Sequence, residues 1–214
     1  MTTHFDDEAQ VEQLRRWWKE NWLPLASGLA LGLAAIFGWQ AWTRYQDGQA
    51  GQASHLFEDL RRAVNANKYD EAVPMADRLQ KDFAGTPYAV DGQLKLAQAA
   101  FDSGKLDDAR TRLEWAAANR KDAAIRGLVK LRLARVLWQQ AKPDDALKQL
   151  DGPDAAYAPL YAELRGDILL SKGDRNGARS AYADALQTLA ADSPARDGLQ
   201  HKVDDLAEAT TVKS

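Results

Sequence analysis

Residues 21–43 form a stretch without a single charged side chain, in a chain of which 28% of the residues are charged. A helix crosses the hydrocarbon core of a bilayer with about 20 apolar residues, because each residue adds about 1.5 Å along its axis. The stretch NWLPLASGLALGLAAIFGWQAWT is long enough for one crossing. It is therefore predicted to be a transmembrane helix.

Tryptophans mark both ends of this stretch: Trp17, Trp18 and Trp22 near its start, and Trp39 and Trp42 near its end. Indole rings collect at the two membrane–water interfaces, because one edge is apolar and the other donates a hydrogen bond. The alternative is the core helix of a soluble protein. Such a helix has no physical reason to gather tryptophan at both ends and exclude charge between them, so the pattern favours the membrane.

The basic residues beside the stretch predict its orientation. Arg15, Arg16 and Lys19 precede it, whereas only Arg44 follows closely. Basic flanks stay on the cytoplasmic side, so the N-terminus is expected in the cytoplasm and the remainder in the periplasm. A cleaved signal peptide is the alternative, with small residues at 48–50 as the cleavage site. Its apolar core would span only about 7–15 residues, so an uncleaved anchor is favoured.

These features predict four segments: a cytoplasmic tail at 1–20, a transmembrane helix at 21–43, a linker at 44–50 and a periplasmic domain at 51–214. The tail holds five of the 31 acidic and three of the 28 basic side chains, so the remainder is nearly neutral. This balance gives no electrostatic footprint for nucleic acid. The chain has no cysteine, which removes disulfides and thiol chemistry.

Small residues recur every four positions within the predicted membrane helix. Gly28 and Gly32 form one pair, and a second stripe runs through Ala26, Ala30, Ala34 and Gly38. Small residues on one face let a second helix approach closely in lipid. The sequence therefore predicts a helix contact at Gly28 and Gly32, with another copy or another membrane protein.

The domain beyond residue 50 repeats one pattern of small and large residues. The aligned alanines Ala72, Ala109, Ala146 and Ala178 are separated by 37, 37 and 32 residues, close to the 34-residue tetratricopeptide period. An all-α superhelix of about four helix pairs is predicted, with a capping helix from about 194 to 209. Asn67, Gly104 and Gly173 are expected in left-handed turns between paired helices. An irregular alanine-rich bundle is the alternative.

Catalytic chemistry is not indicated. The acidic pairs at 70–71, 107–108 and 144–145 recur at the start of second helices, where anions offset the helix dipole. His4, His55 and His201 have no metal-ligand spacing. No phosphate loop or nucleophile motif occurs. The chain is expected to be neither an enzyme nor a cofactor-binding protein.

Several segments resemble the YfgM-like family, the ancillary subunits of the SecYEG translocon. They are QVEQLRRWWKEN at 10–21, GWQAW at 38–42, LRLARV at 131–136 and LRGDILLSKGDRNGARSAY at 164–182. The resemblance covers nearly the whole chain and is weakest between Asp47 and Thr86.

Membership would imply a single-span protein of the bacterial inner membrane with a periplasmic repeat domain. Its implied partners are the SecYEG translocon, a periplasmic chaperone of the PpiD type, secreted or outer-membrane chains in transit, and membrane lipid. Its implied role is a scaffold that helps pass emerging chains to periplasmic folding factors. Two alternatives remain: a tether for outer-membrane assembly, and a signalling regulator acting through the cytoplasmic tail.

The repeat pattern also predicts which side chains face a concave, partner-binding groove. Aromatic rings beside Gln, Arg and Asp suit an extended or helical peptide, although the two rings could instead fill the core between helices. The predicted groove residues are Gln98, Phe101, Asp102, Arg135, Trp138, Gln139, Asp167 and Leu170.

Overall fold

The structure is a computed structural model that describes residues 4–119, 122–152 and 156–211. These residues contain helices and no strand. Their bounds are α1 His4–Asn65, α2 Tyr69–Asp82, α3 Pro87–Asp102, α4 Leu106–Asn119, α5 Ala123–Gln139, α6 Pro143–Gln149, α7 Ala158–Ser171, α8 Arg175–Thr188 and α9 Arg196–Thr211. The predicted all-α class is confirmed.

The chain divides into two units after Gly51. The first unit contains the apolar part of α1, whose most apolar 18-residue window has a mean hydropathy of 1.6 and is not buried. By length and composition this helix is able to cross a membrane. Residues 44–50, expected as a linker, are helical within α1. The four segment boundaries stay predictions.

Four helix–turn–helix pairs make up most of the second unit: the end of α1 with α2, then α3 with α4, α5 with α6, and α7 with α8. Each turn contains one residue with positive φ, namely Asn67 at 58°, Gly104 at 74°, Ala141 at 58° and Gly173 at 84°. The expectation for Asn67, Gly104 and Gly173 is confirmed. Ala141 adopts the same conformation despite its Cβ, which costs about 1–2 kcal/mol.

Each pair combines one small and one large buried residue, and in the fourth pair the two lie against each other, because a Cβ on Gly166 would overlap the Tyr182 ring. The first residue lies seven positions before the positive-φ residue of the turn, and the second lies four positions after the aligned alanine. When one of the two is small, the other is large. The pairs are Leu60 with Ala76, Ala97 with Leu113, Ala134 with Leu150, and Gly166 with Tyr182, all of them buried. The aligned alanines Ala72, Ala109, Ala146 and Ala178 are also fully buried, as their small size requires at a close crossing.

The third pair departs from the others because its second helix is short. Helix α6 has 7 residues, whereas α2, α4 and α8 each have 14. The chain leaves α6 through Leu150 and turns at Gly152, whose φ is 101°. This shortening accounts for the reduced spacing between Ala146 and Ala178.

A buried polar network joins the first two pairs. Arg112 of α4 is 8% exposed and donates to Asp108, to Asp77 of α2 and to Gln93 of α3, at 2.8–3.1 Å. The fully buried Gln93 in turn donates to the Ala76 carbonyl at 2.9 Å. Every partner of the Arg112 guanidinium lies on α2, α3 or α4, so the network fixes how these helices stack.

The acidic residues at the start of the second helices also connect successive pairs. Lys105 binds Asp70 at 3.3 Å, Gln140 donates to Asp107 at 2.9 Å, and Lys172 binds Asp144. In each case the partner comes from the turn region of the following pair. These carboxylates therefore have a structural role at helix starts, as the sequence indicates.

The left-handed alanine generates a stability prediction. Ala141→Gly removes the Cβ strain and should raise the free energy of unfolding by about 1 kcal/mol, or the melting temperature by about 2–4 °C. Thermal melting followed by circular dichroism measures this change. The matched variant Gly104→Ala should lower the melting temperature by a similar amount. A lower melting temperature for Ala141→Gly would contradict the conclusion that the positive φ of Ala141 strains the turn.

Candidate binding groove

Three adjoining recesses run along the first helices of the pairs, and together they are called the groove. The central recess is lined by Ala97, Gln98, Phe101, Leu113, Arg132, Arg135 and Val136. The aromatic recess is lined by Phe101, Arg135, Trp138, Gln139, Leu160, Glu163, Leu164 and Asp167. The polar recess is lined by Val64, Asn65, Asn67, Tyr69, Lys95, Gln98, Ala99, Asp102 and Ser103.

Shared side chains show that these recesses are neighbours. Gln98 lines both the polar and the central recess, while Phe101 and Arg135 line both the central and the aromatic recess. The recesses have volumes of about 370, 80 and 210 Å³ in that order. The central recess is thus the smallest of the three, with a larger recess on either side.

Seven of the eight predicted groove residues line these recesses, and Leu170 lines none of the three. Leu170 is an exposed residue in the last turn of α7. Sequence reasoning missed Arg132, Leu160 and Glu163. A detectable signal existed for each, because Arg132 lies three residues before Arg135, and Leu160 and Glu163 lie seven and four before Asp167. Such spacings place residues on one helix face.

The two predicted aromatic residues serve the core as well as the groove. Phe101 and Trp138 are partly buried and pack against the largest core cluster. The Trp138 indole also donates through Nε1 to the Ser171 hydroxyl at 3.1 Å. Each ring therefore lines a recess on one side and packs against the core on the other, and the hydrogen bond to Ser171 orients the Trp138 indole.

Leu160 gives the groove an exposed apolar side chain. It belongs to α7, is 41% exposed and lines the aromatic recess together with side chains of α5. Most of the exposed large hydrophobic side chains that the structure describes lie in α1. Leu160 and Leu170 are those in the repeat domain. An exposed leucine inside a recess is the type of surface that an apolar partner side chain covers.

One wall of the aromatic recess carries a hydrogen-bonded charge network. Lys202 of α9 binds Glu163 and Asp167 of α7, each at 2.9 Å, and the Tyr182 hydroxyl donates to Asp167 at 2.8 Å. Desolvation lowers the pKa of Lys202, but its hydrogen bonds to the two carboxylates outweigh this effect and raise the pKa. Burial, together with the bond to Asp167, raises the pKa of Tyr182 above its ordinary value of 10.0. Asp167 therefore already accepts hydrogen bonds from two side chains of this chain, Tyr182 and Lys202.

Helix α5 carries two arginines without such partners: both line the central recess, and Arg135 also lines the aromatic recess. Within the described residues, neither the partly buried Arg132 nor the exposed Arg135 has an ion pair or side-chain hydrogen bond. Desolvation by burial lowers the pKa of Arg132, and the positive charge of Arg135 lowers it further. The guanidinium groups nevertheless stay charged at neutral pH.

Metal binding finds no support in the part of the chain that the structure describes, where no group of three His, Asp or Glu side chains is arranged to hold an ion.

In α1, nothing lies within 4 Å of the positions that a Cβ on Gly28 or Gly32 would occupy. That face of the helix is open within the single chain.

Comparison with known proteins defines the class. A profile for a tetratricopeptide repeat-like domain matches residues 15–208. Solved structures of Podosopora anserina putative kinesin light chain repeats, described as TPR-like, share the fold. They have TM-scores of 0.58 and 0.59 at 19% identity, over 76% of this chain and 88% of theirs. The protein is therefore a tetratricopeptide repeat-like protein.

Curated relatives define the family within this class. A protein of Escherichia coli K12 named ancillary SecYEG translocon subunit is 35% identical, over 88% of this chain and 91% of its own length. A protein of Neisseria gonorrhoeae with the same name is 32% identical, over 96% and 100%. The chain belongs to the family of ancillary SecYEG translocon subunits, as the sequence resemblance indicates.

The charge network predicts a loss of stability at alkaline pH. The folded state favours protonated Tyr182 and protonated Lys202, so their stabilisation is complete below pH 10 and is lost as the pH rises above it. The free energy of unfolding, measured by denaturant titration, should fall above about pH 10. Tyr182→Phe should reduce this fall.

Tyr88→Phe is the matched control, because the Tyr88 ring contacts Phe57. An identical alkaline profile for wild type and Tyr182→Phe would contradict the role of this hydroxyl.

Proposed function

We propose that this protein is a non-enzymatic ancillary subunit of the SecYEG translocon that holds a peptide-binding groove next to the secretion channel. Its relatives carry that name, which supports the association with the translocon. The single observation that carries the binding role is the row of neighbouring recesses lined by Phe101, Trp138 and the exposed Leu160.

The proposed ligands are segments of emerging secreted or outer-membrane proteins, or a membrane-anchored chaperone of the PpiD type. Rigid rings supply apolar contact at low entropic cost, and Gln98, Arg135 and Gln139 supply hydrogen bonds that set the register. The groove would hold a client briefly and release it to periplasmic folding factors. No step of this role requires a catalytic residue or a cofactor.

The proposed location is the bacterial inner membrane, with a cytoplasmic N-terminus and the repeat domain in the periplasm. The exposed apolar surface of α1 supports an anchor in lipid. The distance from Trp22 to Trp39 along a helix is about 26 Å, close to the thickness of the hydrocarbon core. The proposed contact of α1 with a membrane partner uses the open face at Gly28 and Gly32.

A double substitution in the groove tests the binding role. Arg135→Ala with Leu160→Ser removes two exposed side chains and spares Trp138, whose truncation would also disturb the core. Recovery of translocon-associated partners by pull-down of the full chain from membranes should fall at least about fivefold. The melting temperature should change by less than about 2 °C, because exposed positions contribute little to stability.

The matched control is Leu170→Ser with Arg179→Ala, an exposed leucine and an exposed arginine outside the three recesses. This control should retain its partners. Equal recovery from both double variants would remove the groove as the binding surface. Recovery of outer-membrane assembly proteins without any translocon subunit would favour the tether instead.

Two measurements test the anchor. A reporter that is active only outside the cytoplasm, fused after Ser214, should be active, and the protein should stay in membranes during an alkaline wash. Replacing Gly28 and Gly32 by leucine should reduce recovery of the membrane partner, because close backbone approach is lost, without changing the melting temperature of the repeat domain. Release of the protein into the soluble fraction would demonstrate cleavage near Ala50.

A further inference from the structure

The central recess combines an apolar floor with two like charges. Ala97, Leu113 and Val136 are buried and form the floor, while Arg132 and Arg135 lie three residues apart on one face of α5. Phe101 and Gln98 of α3 complete the lining. This is the smallest of the three recesses and both arginines line it, so a ligand side chain in it lies close to both guanidinium groups.

Two basic residues packed behind the groove have acidic partners. Lys202 binds Glu163 and Asp167, and the buried Arg112 binds Asp77 and Asp108. Arg132 and Arg135 differ, because no described carboxylate pairs with either one. Burying one guanidinium beside another costs free energy unless an anion compensates both.

We propose that Arg132 and Arg135 form a site for a single acidic side chain of the bound polypeptide, an Asp or Glu flanked by apolar residues. This inference rests on the proposed peptide-binding role of the groove and specifies its ligand. A carboxylate between the two arginines would accept hydrogen bonds from both and cancel their repulsion. Guanidinium groups suit this task, since they present several donors in a planar arrangement.

The neighbouring recesses indicate what surrounds that acidic side chain. On one side, Leu160 and Trp138 of the aromatic recess suit an apolar residue. That recess also contains Glu163 and Asp167, so a second acidic residue placed there would be repelled. On the other side the polar recess continues past Gln98. Because the groove is open on both sides of the arginines, the ligand is the interior of a chain and not a chain end.

Peptide binding to the full chain in lipid nanodiscs tests the proposal. The first probe is a labelled, C-terminally amidated nonapeptide of Gly, Ser and Leu with one central Glu between two leucines. A second probe replaces Glu by Gln, and a third combines Gln with a free C-terminal carboxylate. Fluorescence anisotropy should show about tenfold tighter binding of the Glu probe than of either Gln probe, and salt should weaken this preference.

The variant Arg132→Gln with Arg135→Gln should abolish the preference for Glu, so that the amidated Glu and Gln probes bind it with equal affinity. Its melting temperature should stay the same or rise, because a repulsion is removed and no partner is lost. A purely structural role for these arginines would lower the melting temperature. The control Arg175→Gln with Arg179→Gln, two exposed arginines of α8, should keep the preference for Glu.

The possible failures are distinguishable. Equal affinity for the Glu and amidated Gln probes would overturn the acidic-residue site. If the Leu160→Ser variant then bound neither probe, the peptide groove would be retained. Tight binding of the third probe alone would overturn the choice of a chain interior and assign the site to a terminal carboxylate. Binding of none of the probes would overturn both this inference and the peptide groove.

Discussion

The close crossing of the two helices in each pair is the constraint on which the rest of the repeat domain depends. At the crossing one side chain is small whenever the other is large, from Ala97 with Leu113 to the extreme case of Gly166 with Tyr182. A Cβ on Gly166 would overlap Cε1 of the Tyr182 ring, so only glycine fits there. Because neither helix buries its apolar face alone, successive pairs stack, and the crossing sets the position of each first helix.

The groove follows from this packing by helix geometry. Gln98, Arg135 and Asp167 each come directly after a crossing residue, and Phe101 and Trp138 come four residues after one. Core packing therefore positions the side chains that line the recesses. Leu170 has the equivalent position on α7, yet it lines none of the three recesses. A recess forms between two first helices, and the helix beyond α7 is α9, whose Lys202 binds back to Glu163 and Asp167.

The sequence predicts features that depend on spacing and on local residue preference, but it does not predict contacts between particular residues that are distant along the chain. The spacing of the buried alanines predicted the helix pairs, and the glycines and Asn67 predicted the turns. Ala141 was not foreseen as left-handed because alanine has no local preference for that conformation. The Arg112 network joins residues 19 and 35 positions apart, which no periodicity reveals. The spacing of Arg132 from Arg135 places both on one helix face, but the isolation of these arginines from acidic partners is a property of the folded chain.

Site-specific photocrosslinking in cells tests most directly whether the groove meets polypeptide at the channel. A photoreactive amino acid at Leu160, inside the groove, is compared with one at Arg179, an exposed position on α8 that lines none of the three recesses. A secretory chain stalled in the channel supplies a defined client. The account predicts crosslinks from position 160 to this client or to a translocon-associated chaperone, and few from position 179. Equal crosslinking from both positions, or none from position 160, would contradict it.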